Sequence, residues 1–243
     1  VTHKEQRAMR RASRTAAWKL EPLRVEAVLA SPLCGDAPHL DALLENAAGA
    51  WHPPGEPESR TDRAIPPPPV GAISIPLKRE PLNGWLVPHC SSPITSAVLA
   101  DQHEHVGKRI SIENANLLAE SERGAVNTVA TWTKSYRLPV RVRLVERVAW
   151  FCVGDADDLK RLLLRVPCVG KKRSIGYGRV REWRIEPVAA DWSWYVKTPH
   201  GQLLMRPLPV AEVLGLIGCK ADFAAVCAPY WHPSRYAEVL TPC

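Results

Sequence analysis

The pattern of apolar residues predicts an α+β fold, and three observations carry the prediction. A period-two stretch at Leu23–Ala30 is followed by a helical apolar stripe near Pro38–Ala48. A longer period-two stretch at Leu138–Trp150 is followed by a second stripe over Ala156–Val166. A last strand-like segment, Gly178–Pro187, closes the set. With short strands between the two halves, the order is β-α-β-β-α-β, the ferredoxin-like (RRM-like) arrangement.

Residues 1–21 read as a basic N-terminal extension, either a frayed helix or an irregular arm. Residues 22–190 form the expected ferredoxin-like domain. Leu23, Val25, Ala27 and Leu29 alternate onto one face of its first strand. In the first helix Leu40, Leu43, Leu44 and Ala47 fall at i, i+3, i+4 and i+7. Asp36 or Asp41 suits the dipole at its start, and Gly49 is a stop. Residues 52–71 are proline-rich and predict an irregular loop. Ala72–Leu77 and Asn83–Val87 read as two short strands about a turn near Glu80–Gly84. From about residue 90 to 136 no period holds, and the stretch reads as an insertion leaving the core. Leu138–Trp150 places Leu138, Val140, Val142, Leu144, Val148 and Trp150 on one face, with Glu146 the exception. Arg137, Arg141, Arg143 and Arg147 fall on the other, which is a cationic sheet face or simply a solvated one. Asp155 caps the second helix and Pro167 ends it. Residues 191–243 read as an accessory segment on the same core, with a strand at Trp192–Lys197, an apolar stretch at Val210–Gly218 and aromatic residues in the tail.

Composition narrows the function classes. The chain has 243 residues, 46% of them hydrophobic and 23% charged, which supports a sizeable core. No apolar run reaches the roughly 18 residues of a membrane span, and the basic start lacks the apolar stretch of a signal peptide. The expectation is a cytoplasmic protein without membrane contact. Seven cysteines include no C-x-x-C pair, so neither a zinc site nor a disulfide framework is expected. The net charge is +7 and unevenly spread. Residues 1–24 hold seven Lys/Arg against two Glu, and residues 137–187 hold thirteen against six acids; together they carry +12 and leave −5 for the rest. A field concentrated in this way suits a polyanion, nucleic acid or acidic protein.

The stretch Pro167–Arg184 concentrates this charge. Gly170, Gly176 and Gly178 punctuate it, with Lys171, Lys172 and Arg173 between them and Arg179 after. Glycine permits positive φ and a close approach of the backbone to another molecule. Amides facing outward beside cations would make a phosphate site; the alternative is a tight turn carrying a solvated charge run.

The segment Gly170–Gly178 (GKKRSIGYG), directly after the second helix, resembles the glycine-rich loop of the CRISPR-associated RAMP superfamily, with Cys168 where that loop's first glycine would stand. The opening LRVEAVLASPLCGDAPHLDALLENA is similar to the first strand and helix of that superfamily. Together with SIGYGRV, it most resembles the Csf-three, or Cas-five-like, subunit of type IV CRISPR effectors, over about residues 22–187. The resemblance implies a noncatalytic, cofactor-free RAMP subunit that grips the five-prime handle of a CRISPR RNA and caps one end of an effector complex. Its partners would be the CRISPR RNA, backbone RAMP subunits and the large subunit, with target DNA an open further contact. RNA contacts would fall on Gly170, Lys171, Lys172, Arg173, Ser174, Gly176, Tyr177, Gly178 and Arg179, and on Arg141, Arg143 and His39. The insertion would be a thumb-like wedge, with Lys108, Arg109, Trp132, Lys134 and Tyr136 at the contact; an aromatic ring beside cations is how single-stranded RNA is commonly held. The same rings could instead anchor the insertion to the core.

Two other classes compete. A RAMP endoribonuclease would need a general base near a 2′-hydroxyl, and His39 at the first helix start is the candidate. A plain RNA-recognition module would need an aromatic where Arg179 stands, and its motif belongs before the second helix rather than after it. His103 and His105 lack a third ligand for a metal. No P-loop, dinucleotide fingerprint or nucleophile elbow supports a metabolic enzyme.

Overall fold

The computed structural model describes residues 18–49, 73–108, 111, 113, 135–209 and 216–242. In chain order the elements are β1 (Glu21–Leu29), β2 (Leu33–Cys34), α1 (Leu40–Ala47), β3 (Arg79–Leu82), β4 (Trp85–Pro88), β5 (Ile94–Thr95), β6 (Ala100–Lys108), β7 (Tyr136–Leu144), β8 (Arg147–Gly154), α2 (Ala156–Leu163), β9 (Val180–Pro187), β10 (Tyr195–Thr198), β11 (Gly201–Leu204), β12 (Leu208–Pro209), β13 (Leu216–Ile217), β14 (Cys219–Ala225) and β15 (Tyr236–Pro242). The protein is α+β and rich in sheet.

The main sheet is antiparallel with order β5-β8-β1-β9. The first and third strands of this sheet in chain order, β1 and β8, pair at its centre, an order compatible with a ferredoxin-like unit. The edge strand β5 is only two residues long. Both helices pack on one face. Leu23, Val25 and Ala27 of β1 and Val148, Trp150 and Cys152 of β8 meet Leu40, Leu43 and Leu44 of α1 and Leu159 and Leu163 of α2. Each such leucine, fully buried, contributes about 1.5–3 kcal/mol. Asp155 caps α2 as expected, its carboxylate accepting from the Asp158 amide at 3.0 Å. The cap of α1 is His39, whose side chain makes no capping bond. Asp41 lies in the first turn of that helix but is fully buried, so its partners are internal ones.

Three expectations are corrected. Leu138–Trp150 is two strands: β7 pairs with β6 and β2, whereas β8 belongs to the main sheet. Glu146, the break in the alternation, marks the crossing. The alternation of β7 is not a core face, since Leu138 and Leu144 are exposed and of its alternating apolar residues only Val142 is buried. The short hairpin is shifted, with strands at 79–82 and 85–88 around Asn83–Gly84, both at positive φ. Of the expected strand Ala72–Leu77, the described residues 73–77 form none; Leu77 makes a lone bridge to Gly154. Thirdly, the C-terminal residues do not simply layer onto the first core. Leu204, Leu208, Val226 and Val239 close with Val87 around a second apolar cluster, against which Leu82 and Trp85 of the hairpin pack. The weak alternation of β9 has its cause in a register shift opposite Val28 and Leu29.

A buried polar network joins the two clusters. Arg206 is fully buried. Its guanidinium donates to the carbonyls of Pro88 (2.8 Å), Cys90 (3.0 Å) and Val226 (2.7 Å), and to the Tyr230 hydroxyl (3.1 Å). Tyr230 in turn donates to Asp41 at 2.9 Å.

Candidate nucleic-acid interface

The basic loop is docked on the turn that follows β1. The Lys171 amide donates to the Cys34 carbonyl and the Gly178 amide to that of Pro32, both at 2.8 Å. Ser31 Oγ donates to the Gly176 carbonyl and accepts from the Arg179 amide, also at 2.8 Å. Two glycines are fixed by this closeness. A Cβ at Gly178, whose φ is +63°, would stand 1.9 Å from the Val169 carbonyl oxygen, and one at Gly170 would stand 2.7 Å from Leu33 Cδ1. The glycine spacing is therefore satisfied by packing against the protein's own chain. Amides of Lys171, Ile175, Gly176 and Gly178 all bond internal carbonyls, which turns much of the expected outward array inward. Side chains are left to meet an anion.

Those side chains fan out. Lys171 runs its stem across Gly35. Lys172 has left-handed backbone, φ +57°, and holds its ammonium 5.7 Å from the centre of the Tyr136 ring, within cation–π reach. Arg173 opens a 3₁₀ turn, Arg173–Ile175, and borders a small crevice with Leu43, Ala47 and Arg165. None of the three, nor Arg179, forms an ion pair among the described residues. Ser174, Ile175 and Gly176 are exposed at the tip.

The β7 arginines behave differently. Arg141 is ion-paired to Asp101 of β6, which holds the Asp101 carboxyl below its usual range. Arg143 donates to the Gly35 carbonyl at 3.0 Å and to Asp36 at 2.9 Å. Two of the four arginines on the cationic face that alternation suggests thus carry their own counterions. Tyr177, half-buried, donates to Glu104 of β6, so the loop is tied to the β6–β7 hairpin. Lys108 and Tyr136 end the two hairpin strands side by side. Arg109, Trp132 and Lys134 lie outside the described residues.

His39 packs against the C-terminal segment. Its ring stacks on Tyr230 with centroids 4.4 Å apart, and Nδ1 is covered without a partner. Burial first, then the nearby Arg206 charge, pushes its pKa down to about 4. Sequence reasoning missed the Tyr177–Glu104 tie and the acids opposite Arg141 and Arg143. No local pattern marks them, because the partners lie 40 to 107 residues away. Among the described residues no cluster of three or more His, Cys, Asp or Glu could hold a metal ion, and no helix is long and apolar enough to cross a membrane.

A basic α+β protein that exposes a glycine-pinned cationic loop beside a small three-stranded sheet is the class that fold and site define. The chain belongs to the family described as CRISPR type IV associated protein Csf3, whose model matches residues 91–242. The match takes in the hairpin, the basic loop and the C-terminal cluster, and leaves β1 and α1 outside it. No curated protein matches the chain.

Proposed function

We propose that the chain is a noncatalytic CRISPR RNA-binding subunit with a RAMP fold. It holds the five-prime handle of the RNA and caps one end of a type IV effector ribonucleoprotein in the cytoplasm, beside backbone RAMP subunits and a large subunit. Membership in the type IV family supports this reading. The observation that carries it is the contrast in ion pairing: Lys171, Lys172 and Arg173 have no acid partner among the described residues, while Arg141 and Arg143 do. Cations without a counterion are the ones that gain most from a phosphate. Lys172 stands over Tyr136, so a ring and a charge share one position, an arrangement suited to a single strand.

The geometry of His39 favours binding over cleavage. A general base must reach the reacting hydroxyl, and this ring is stacked on Tyr230 with Nδ1 sealed.

Replacing Lys171, Lys172 and Arg173 together by Ala is expected to weaken RNA binding and to flatten the slope of log K against log salt concentration by about 0.7 per lost phosphate contact. Unchanged affinity and slope in a filter-binding titration would remove the loop from the interface. Metal-free incubation with repeat RNA is expected to leave it intact. Site-specific cleavage that disappears in His39→Ala would replace this reading with a nuclease.

A further inference from the structure

A cavity of about 500 Å³ opens between the β3–β4 hairpin, the linker after β9 and the β10–β11 hairpin. His89 forms its floor. The ring stacks on Trp194 at 4.2 Å, and its two nitrogens lie 3.1 Å from carboxylate oxygens of Asp191 and Glu80. Burial of Asp191 is outweighed by its bonds to His89 and Ser193, which hold that carboxyl down at about 2. Both acids are bonded to the floor and keep part of their surface open. Trp192, Tyr195, Gln202 and Lys197 complete the lining that faces a ligand.

Trp192 is the telling residue. The indole N–H groups of Trp150, Trp183 and Trp194 each donate to a backbone carbonyl. That of Trp192 makes no hydrogen bond among the described residues, and the ring, half-exposed, is braced edge-on by Phe151 at 5.0 Å. A large ring held rigidly at a cavity wall with its polar edge unspent suits a flat partner. An amide and an ammonium close by add hydrogen-bonding groups for a base edge and a phosphate.

We propose that this cavity takes one unpaired nucleobase of a single nucleic-acid strand, stacked on Trp192, with Gln202 at the base edge and Lys197 at a neighbouring phosphate. The proposal rests on the reading of the chain as an RNA binder and adds to it a base-dependent contact remote from the phosphate-binding loop. A cationic side chain of a partner protein is the competing occupant of an aromatic cavity. It is disfavoured because Lys197 stands at the cavity and both carboxylates are already engaged by His89.

The test compares a hexa-adenylate RNA with a hexamer of abasic ribose-phosphate units, titrated into the full chain and followed by tryptophan fluorescence and by filter binding. Wild type is expected to bind the base-bearing strand about tenfold more tightly, the scale of a single base–aromatic stack. Trp192→Ala is expected to cut that preference sharply, to what the Tyr136 ring at the loop supplies, with the salt slope unchanged, and Trp192→Phe to restore most of it. Circular dichroism identifies any variant that fails to fold, and Gln202→Ala, at a partly exposed position, then supplies the same comparison. Equal binding of the two strands by wild type, or a preference left undiminished by Trp192→Ala, overturns the proposal while leaving the loop reading standing. Quenching by tetramethylammonium but not by the base-bearing strand overturns it in favour of a cation site. Absence of binding to either strand defeats both readings.

Discussion

Replacing Arg206 by Met tests the join between the two apolar clusters. Met keeps most of the stem's volume and deletes the charge and its donors. Three carbonyls, those of Pro88, Cys90 and Val226, each lose a donor, and the Tyr230–Asp41 pair loses the cation beside it. Asp41 and Arg206 are both fully buried, so water cannot take over these roles without opening the core. Breaking a buried charge pair from one side costs about 3–5 kcal/mol, because the other charge stays behind. With a urea slope of about 2 kcal/mol per M, the unfolding midpoint should fall by roughly 2 M. Adding Asp41→Asn to the Met variant removes the stranded charge. The double variant should therefore be less destabilised than the two single losses added together, by at least about 1 kcal/mol. A midpoint shift below about 0.5 M for Arg206→Met, or strict additivity in the double variant, would refute the reasoning.

Gly178→Ala should lower thermal stability. Left-handed backbone alone costs a non-glycine residue about 1–2 kcal/mol, and the clash with the Val169 carbonyl adds to it. A melting temperature reduced by several degrees is the expected readout. The pH dependence should be a contest between two groups. Burial, and then Asp41, raise Glu45 to about 7, above its usual 4.5; the stability tied to that group is full below about 4.5 and is lost as pH rises to about 7. His39 is depressed to about 4 from 6.5, so its contribution is present above about 6.5 and is lost as pH falls towards 4. The two slopes oppose one another between about 4.5 and 6.5, and each amounts to about 3 kcal/mol. Wild-type stability is expected to stay nearly flat there by urea titration, while His39→Phe should show stability falling as pH rises. A flat profile in the variant would contradict the assignment.

Much of the main sheet is legible in the sequence because its elements obey one local period each. β1 and α1 bury most of the residues that alternation and the i, i+3, i+4 stripe select, and Asp155 caps α2 as expected, whereas that helix ends at Leu163, short of the expected Val166 and its Pro167 stop. What is not legible depends on partners distant in the chain. A period-two run cannot reveal that β7 and β8 join different sheets, since alternation continues through the crossing and only Glu146 interrupts it. The ion pairs of Arg141 and Arg143 are invisible for the same reason: like solvated arginines, paired ones read simply as polar positions. The glycine loop was recognisable from spacing, yet spacing could not tell an outward amide array from one spent on Pro32 and Cys34.

The long reach of β1 has a consequence for synthesis on the ribosome. Its two neighbours in the sheet begin at Arg147 and Val180, and the cation that balances Asp41 of α1 is Arg206. For well over a hundred residues of elongation the first strand has both edges unpaired, and the first helix carries an acid with no internal countercharge. Closing such distant pairs is entropically slow. The segment with the first strand and helix is thus the one that most needs shelter, and the residues from Arg147 onward supply what allows it to settle.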